Sequence, residues 1–160
     1  HALFVTLTDT GARLSEITGL EVQDVDLQAR SITIRPNSIR TLKTKGSQRT
    51  LPLSQSALEV LQEHRRGKGD TQPIFEDYAR PRGRDAASAM LMKRLRRSIT
   101  DKKLTMHSLR HRMKDKLRNT GCPEAISLAI LGHSTNTVAA NYGSGYALEV
   151  MREHMEKTWT

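Results

Sequence analysis

Residues 105–119, TMHSLRHRMKDKLRN, are expected to form a helix with one face towards the core. In an α-helix Leu109, Met113 and Leu117 share one face, so they predict a stripe that faces the core. Arg110 lies beside this stripe and is expected to be semi-buried, where a lone guanidinium is costly without an anionic partner. A bound phosphate would provide that partner, and so would an ion pair with a distant Asp or Glu.

The positive charge of the chain is concentrated in one zone. The 160 residues carry a formal net charge of +9. Fourteen basic and three acidic residues lie between positions 80 and 118, so this basic zone carries +11 and the rest of the chain only −2. A basic zone on an otherwise nearly neutral domain indicates a polyanionic partner. A solvated surface that promotes solubility is the alternative.

Cysteine content and hydropathy exclude several classes of protein. Cys122 is the single cysteine, so the chain has neither a disulfide framework nor a cysteine-based zinc site, and an intracellular setting is expected. No apolar run approaches the roughly 20 residues that span a bilayer, and no signal peptide is apparent. Because the chain starts at His1 without an initiator Met, we expect it to be a fragment of a longer protein.

The pattern of apolar residues and turn formers predicts an α+β fold, mostly helical, with a small antiparallel sheet near the N-terminal part. Strands are expected at 25–36 and 47–53, with Pro52 marking an edge and Lys45 near the tip of their connection. Helices are expected at 1–10, 12–20, 55–66, 85–99, 105–119, 123–131, 134–142 and 146–157. Gly11, Gly121 and Gly132 are expected to end helices, and Ser54 and Thr105 to cap them.

Five short motifs occur in a characteristic order along most of the chain. They are TGARLSE (10–16), KTKGSQRTLPL (43–53), HSLRH (107–111), LGHS (131–134) and NY (141–142). Each motif alone is a weak signal, but the five together, with this spacing, are specific. On these motifs the sequence resembles the catalytic domain of the tyrosine recombinases, the phage integrase family.

The resemblance implies a set of catalytic positions. Those positions are Arg13, Lys45, His107, Arg110, His133 and Tyr142, with Glu16 in a supporting position and with no metal ligand. The two arginines would hold the scissile phosphate, the lysine would protonate the leaving 5′ oxygen, and the tyrosine would be the nucleophile. These residue types suit the chemistry, because paired guanidinium donors match phosphate oxygens and a phenol with a pKa near 10 needs help to lose its proton.

The resemblance also implies a function and its partners. The protein would recombine double-stranded DNA at specific sites through a 3′-phosphotyrosine intermediate, with neither ATP nor a metal. We expect a monomer alone, a homo-oligomer, specifically a tetramer, on DNA, possible accessory DNA-bending proteins, and a bacterial or phage-infected cytoplasm. One domain, 1–160, is expected, without the family's N-terminal DNA-clamping domain. Its last part, 146–160, is a helix that follows a Gly-Ser-Gly hinge and packs either on its own domain or on a neighbouring protomer.

Alternatives remain open at the level of single residues and of function. Tyr146 is a rival to Tyr142, and Lys43 is a rival to Lys45. His107 and His111 lie four residues apart, as in zinc hydrolases, although Ser108 stands where such a motif has Glu. A catalytically silent DNA-binding module, a type IB topoisomerase and a transposase would share this sequence pattern.

Overall fold

The computed structural model describes residues 1–42, 47–133 and 145–159. The α-helices in these ranges are α1 (Ala2–Thr10), α2 (Leu14–Thr18), α3 (Gln55–His64), α4 (Gly83–Leu95), α5 (Ser108–Asn119), α6 (Glu124–Leu131) and α7 (Leu148–Trp159). The strands are β1 (Val25–Asp26), β2 (Ser31–Ile34) and β3 (Arg49–Pro52), which form an antiparallel sheet in the order β1-β2-β3. The predicted α+β class, mostly helical with a small sheet, is confirmed. No helix in the described ranges is long and apolar enough to cross a bilayer.

The sheet differs from the prediction at its first strand. The segment 25–36 was predicted as one strand, but it forms β1 and β2 with a tight turn between them. The Asp26 carboxylate accepts a hydrogen bond from the Ala29 N–H at 2.8 Å, and Arg30 adopts a positive φ of 48°, so the side chain of Asp26 stabilises the turn. β3 pairs only with β2, as the edge position of Pro52 predicted.

Helix boundaries confirm some predicted caps and correct others. The Ser54 hydroxyl accepts a hydrogen bond from the Ala57 N–H at 3.0 Å, which confirms the cap of α3. Thr105 does not cap α5: the helix begins at Ser108, whose hydroxyl accepts a hydrogen bond from the Thr105 N–H at 3.0 Å. Likewise α4 ends at Leu95, because the following chain turns back and the Arg96 guanidinium donates to the carbonyls of residues 101, 102 and 104. Ile99 therefore lies outside the predicted helical stripe, and the helix predicted at 134–142 lies outside the described residues.

Helix α5 lies at the centre of the core and contacts α1, α6 and α7. Met113 and Leu117 of the predicted stripe are fully buried, whereas Leu109 is only partly buried. The end of α1 approaches α5 closely: Gly11 has a φ of 62°, and a Cβ there would lie 2.7 Å from the Met113 Cβ. This close approach places the segment after Gly11 beside the first turns of α5.

Helix α7 packs on its own domain. Met151 and Met155 are buried, and the helix contacts β3, α5 and α1. Polar contacts anchor its second turn and its C-terminal end, since Arg152 Nη2 donates to the Ala29 carbonyl at 2.6 Å and Trp159 Nε1 donates to the Asp9 carbonyl at 2.8 Å. Met151 and Met155 are thus part of the core of the same chain.

Candidate active site

Arg110 is more deeply buried than the sequence predicted, with a relative exposure of 4%. Its Nη1 donates to the Gly11 carbonyl at 3.0 Å, and its Nη2 donates to the Leu131 carbonyl. None of the ion pairs among the described residues involves Arg110, so backbone carbonyls take the place of the distant acidic partner that was the alternative. Burial and the nearby positive charge of Arg13 and Arg49 lower the pKa of Arg110 to about 10, which leaves it charged at neutral pH.

Arg110 opens onto a cleft of about 310 Å³ between α2, α4 and the segment that leads into α5. The cleft is lined by Ala12, Arg13, Leu14, Ser15, Arg84, Asp85, Ser88, Thr105, Met106, His107 and Arg110. Three of the six predicted catalytic residues, Arg13, His107 and Arg110, therefore line one cavity. Nearly 100 residues separate Arg13 from the other two in the sequence, so the fold brings them together.

Glu16 holds Arg13 at the start of α2. The Glu16 carboxylate accepts the Arg13 backbone N–H at 2.7 Å and forms an ion pair with Arg13 Nη1 at 2.8 Å. Arg13 Nη2 also donates a hydrogen bond to the Gly132 carbonyl at 3.4 Å. The carboxylate is 4% exposed and the Arg13 side chain 28% exposed, so a buried anion orients a more accessible guanidinium.

Arg49 completes this cluster, and sequence reasoning missed it. Arg49 Nη2 and Nη1 approach the two oxygens of Glu16 at 3.0 and 3.2 Å, and Arg49 Nε donates to the Ile130 carbonyl at 2.8 Å. Arg49 and Leu51 are two residues apart in β3, so their side chains lie on the same side of the strand, and Leu51 is fully buried. This spacing from an apolar residue was the signal in the sequence that Arg49 points inward.

The electrostatics of Glu16 follow from its two arginine partners. Burial alone raises the pKa of the Glu16 carboxyl. The hydrogen bonds and charge of Arg49 act in the opposite direction, as do the hydrogen bonds from Arg13, and the net result is a pKa below the usual value. Glu16 is therefore ionised at neutral pH and partly balances the positive charge beside the cleft.

The two predicted histidines lie at helix ends beside the arginines. His107 precedes α5, and its ring contacts that of His111 edge to face at a centroid distance of 4.9 Å. Partial burial, followed by the charges of His111, Arg110 and Arg13, lowers the pKa of His107. His133 follows α6, and partial burial together with Arg110 and Arg13 lowers its pKa too. Both imidazoles are thus biased towards the neutral form, which can accept a proton.

Two predicted residues, Lys45 and Tyr142, lie outside the described residues, as does the rival Lys43. The rival tyrosine, Tyr146, is 43% exposed. In the described ranges, no group of three or more His, Cys, Asp or Glu side chains could hold a metal ion, so His107 and His111 have no third ligand there. Arg84 and Ser88, which share one face of α4, form a wall of the cleft that the motifs did not indicate.

Comparison with known proteins gives the family. Residues 1–147 match the phage integrase family, and the chain belongs to that family. This confirms the resemblance that the five motifs indicated.

Curated relatives and solved structures agree with this assignment. Over 149 residues the chain is 30% identical to tyrosine recombinase XerD of Corynebacterium glutamicum, with 89% of this chain and 47% of that protein covered. Over 152 residues it is 30% identical to XerD of Mycobacterium tuberculosis, with 89% and 46% covered. The chain thus spans about half the length of the curated relatives it matches.

Two solved structures share the fold. The crystal structure of XerA recombinase matches with a TM-score of 0.66 at 22% identity, over 97% of this chain and 55% of that one. The Tn1549 transposon integrase, solved in complex with circular intermediate DNA, matches with a TM-score of 0.65 at 23% identity, over 98% and 58%.

Proposed function

We propose that residues 1–160 are the catalytic domain of a site-specific DNA recombinase that breaks and rejoins double-stranded DNA through a 3′-phosphotyrosine. The observation that carries the proposal is the meeting of Arg13, His107 and Arg110 around one cleft. Two guanidiniums beside an imidazole suit a phosphodiester, whose transition state gathers negative charge on its nonbridging oxygens. Membership of the phage integrase family supports the same reaction.

The proposed first step exchanges one phosphoester bond for another. Arg13 and Arg110 bind the nonbridging oxygens of the scissile phosphate with paired donors. The Tyr142 hydroxyl oxygen attacks phosphorus, its proton passes to an imidazole of His107 or His133, and the bond from phosphorus to the 5′ oxygen breaks. Lys45 gives its proton to that 5′ oxygen. The new phosphotyrosine conserves the energy of the broken bond, so attack by a 5′ hydroxyl rejoins a strand without ATP.

The basic zone between positions 80 and 118 is proposed to bind the phosphates that flank the cleft. It includes much of α4 and α5, and Arg84 reaches the wall of the cleft itself. Phosphate contacts release counterions, so DNA affinity should fall steeply with salt and show little dependence on sequence. Titration of a labelled duplex at two salt concentrations tests this proposal, and an affinity that does not change with salt would contradict it.

Covalent trapping tests the proposed chemistry. The chain is incubated with nicked duplexes that carry a randomised core. The short fragment that bears the new 5′ hydroxyl then diffuses away, and the protein remains joined to the 3′ phosphate of the other fragment. We expect an adduct that survives denaturation for the wild type and for Tyr146→Phe, and none for Tyr142→Phe. Adduct formation by Tyr142→Phe would show that Tyr142 is not the nucleophile. If the wild type binds DNA but forms no adduct, the catalytically silent DNA-binding module is favoured.

A second assay separates enzymes that share this chemistry. Relaxation of a supercoiled plasmid without strand exchange would indicate a type IB topoisomerase, whereas exchange between two defined sites indicates a recombinase or a transposase. The flanking DNA of the full-length gene then provides the candidate sites for that exchange.

We also propose how the chain assembles and where it acts. The chain alone is a monomer, four copies assemble on paired DNA sites with possible accessory DNA-bending proteins, and the reaction takes place in the cytoplasm of a bacterial or phage-infected cell. Packing of α7 on its own domain supports the monomer, because its buried methionines Met151 and Met155 need no second copy to cover them. Sedimentation with and without DNA measures both states, and a stable dimer without DNA would contradict the proposal.

A further inference from the structure

Arg49 connects three segments of the chain that carry different candidate catalytic residues. Its guanidinium makes a two-pronged ion pair with Glu16, which in turn holds Arg13 through a backbone and a side-chain hydrogen bond. Its Nε donates to the Ile130 carbonyl at 2.8 Å, near the end of the helix that leads to His133. Its Nη1 also donates to the Ser47 carbonyl at 2.7 Å, at the base of the hairpin.

We propose that Arg49 is a positioning residue for strand cleavage, which sets the orientation of Arg13 through Glu16 and joins it to the segments that carry His133 and Lys45. The inference rests on the proposed function for its catalytic consequence, but the contacts themselves belong to the fold. Arg49 does not line the cleft, so it acts through other residues.

The surroundings of Arg49 hold its guanidinium in one place. The Arg49 side chain is 6% exposed and that of Glu16 is 4% exposed, so the pair is shielded from water and its geometry is well defined. Gly132 packs against it so closely that a Cβ at that position would lie 2.8 Å from the Arg49 Cζ. A lysine has a single point of charge and cannot reproduce this fork of donors.

The position of Arg49 in the chain extends its influence to the hairpin. Lys45 precedes Arg49 by four residues, and four residues of extended chain span at most about 14 Å. His133 follows directly on Gly132, against which the guanidinium packs. Displacement of Arg49 would therefore loosen one candidate phosphate ligand and the attachment points of two further candidate residues together.

The test compares Arg49→Gln and Arg49→Lys with a matched control, Arg35→Gln. Arg35 also pairs with two carboxylates, at 2.7 Å from Asp24 and 2.9 Å from Glu21, but it lies outside the cleft and its lining. The control therefore removes an arginine that also holds two carboxylates, without touching the Glu16 carboxylate, although Arg35 is more exposed than Arg49, at 31% against 6%. Urea denaturation of each variant confirms that it is folded under the assay conditions.

Two readouts distinguish positioning from general stability. The first is the rate of covalent adduct formation at saturating DNA, measured together with the dissociation constant for the same duplex. We expect Arg49→Gln to slow the rate by about tenfold to hundredfold while affinity changes by less than about twofold. Arg49→Lys should recover only part of that loss, and Arg35→Gln should react like the wild type.

The second readout needs no cleavage. The Nε–H signal of Arg13 is followed by heteronuclear NMR during titration with inorganic phosphate. Arg49→Gln should shift or broaden this signal and weaken its response to phosphate, whereas Arg35→Gln should leave both unchanged. If Arg49→Gln matches Arg35→Gln in both readouts, the positioning role is wrong. If the wild type forms no adduct, the proposed function fails, and the Arg13 signal still decides whether Arg49 positions it.

Discussion

Substitution of Gly132 by alanine should destabilise the fold far more than the same substitution at Gly121. Both glycines follow helix ends and have positive φ, 61° at Gly132 and 77° at Gly121. A Cβ at Gly121 would meet nothing within 4 Å, whereas a Cβ at Gly132 would contact the guanidinium of Arg49. The two positions therefore share the backbone cost and differ in the contact with Arg49.

The magnitudes follow from these two contributions. An alanine in the left-handed region costs about 1–2 kcal/mol, which is the whole effect expected for Gly121→Ala. At Gly132 the guanidinium must also move away from Glu16 or from the Ser47 carbonyl, and each hydrogen bond to a charged group contributes about 1.5–3 kcal/mol. The total for Gly132→Ala is therefore about 3–5 kcal/mol, or a fall in melting temperature of roughly 10 °C for a chain of this size.

Urea denaturation followed by circular dichroism measures both variants, and a double-mutant cycle isolates the contact. In the Arg49→Gln background the side chain at position 49 is shorter and lacks the guanidinium contacts that held it in place, so Gly132→Ala should cost little more than Gly121→Ala. Equal destabilisation by the two alanines in the wild-type background would show that Arg49 is not held against Gly132.

Three further predictions concern a carboxylate, an imidazole and the last helix. The pKa of Glu16 is lowered in the folded protein, so its ionised carboxylate stabilises the fold above the ordinary glutamate pKa of about 4.3. This stabilisation is lost as the pH falls through the pKa of Glu16 in the folded protein. Arg49→Gln should therefore move acid unfolding, followed by circular dichroism, to higher pH. An NMR titration should give His107 a pKa below its ordinary value of about 6.5, and inorganic phosphate in the cleft should raise it; an unchanged value would count against anion binding there. Met155→Ala should cost about 2–5 kcal/mol in urea denaturation, against about 0.5 kcal/mol or less for the exposed Val150→Ala, and equal small effects would show that α7 does not pack on its own domain.

Local sequence patterns predicted the elements whose causes are local. The apolar stripe that contains Met113 and Leu117 predicted burial of one face of α5, and both side chains are in the core. The Ser54 cap and the positive φ of Gly11 and Gly132 follow from the chemistry of single residues at helix ends. The motifs also indicated Arg13 and Arg110, which the fold brings to one cleft.

The contacts that the sequence did not predict have no local signature. The acceptors of Arg110 are the backbone carbonyls of Gly11 and Leu131, and every residue carries a carbonyl, so no residue type marks these two as acceptors. The ion pair of Arg49 with Glu16 joins residues 33 positions apart and depends on the packing of β3 against α6. Such contacts become visible only when the tertiary fold is known.

The proposed role of the cleft is that Arg13 and Arg110 hold a DNA phosphate beside His107 for attack by Tyr142. Its most direct test is mass spectrometry of the peptide that remains joined to DNA after incubation of the chain with nicked duplexes and digestion of both protein and DNA. We expect a nucleotide joined through its 3′ phosphate to Tyr142, and loss of that species in the Arg110→Ala variant at DNA concentrations that saturate binding. A nucleotide on Tyr146, a linkage through a 5′ phosphate, or undiminished adduct in Arg110→Ala would contradict it.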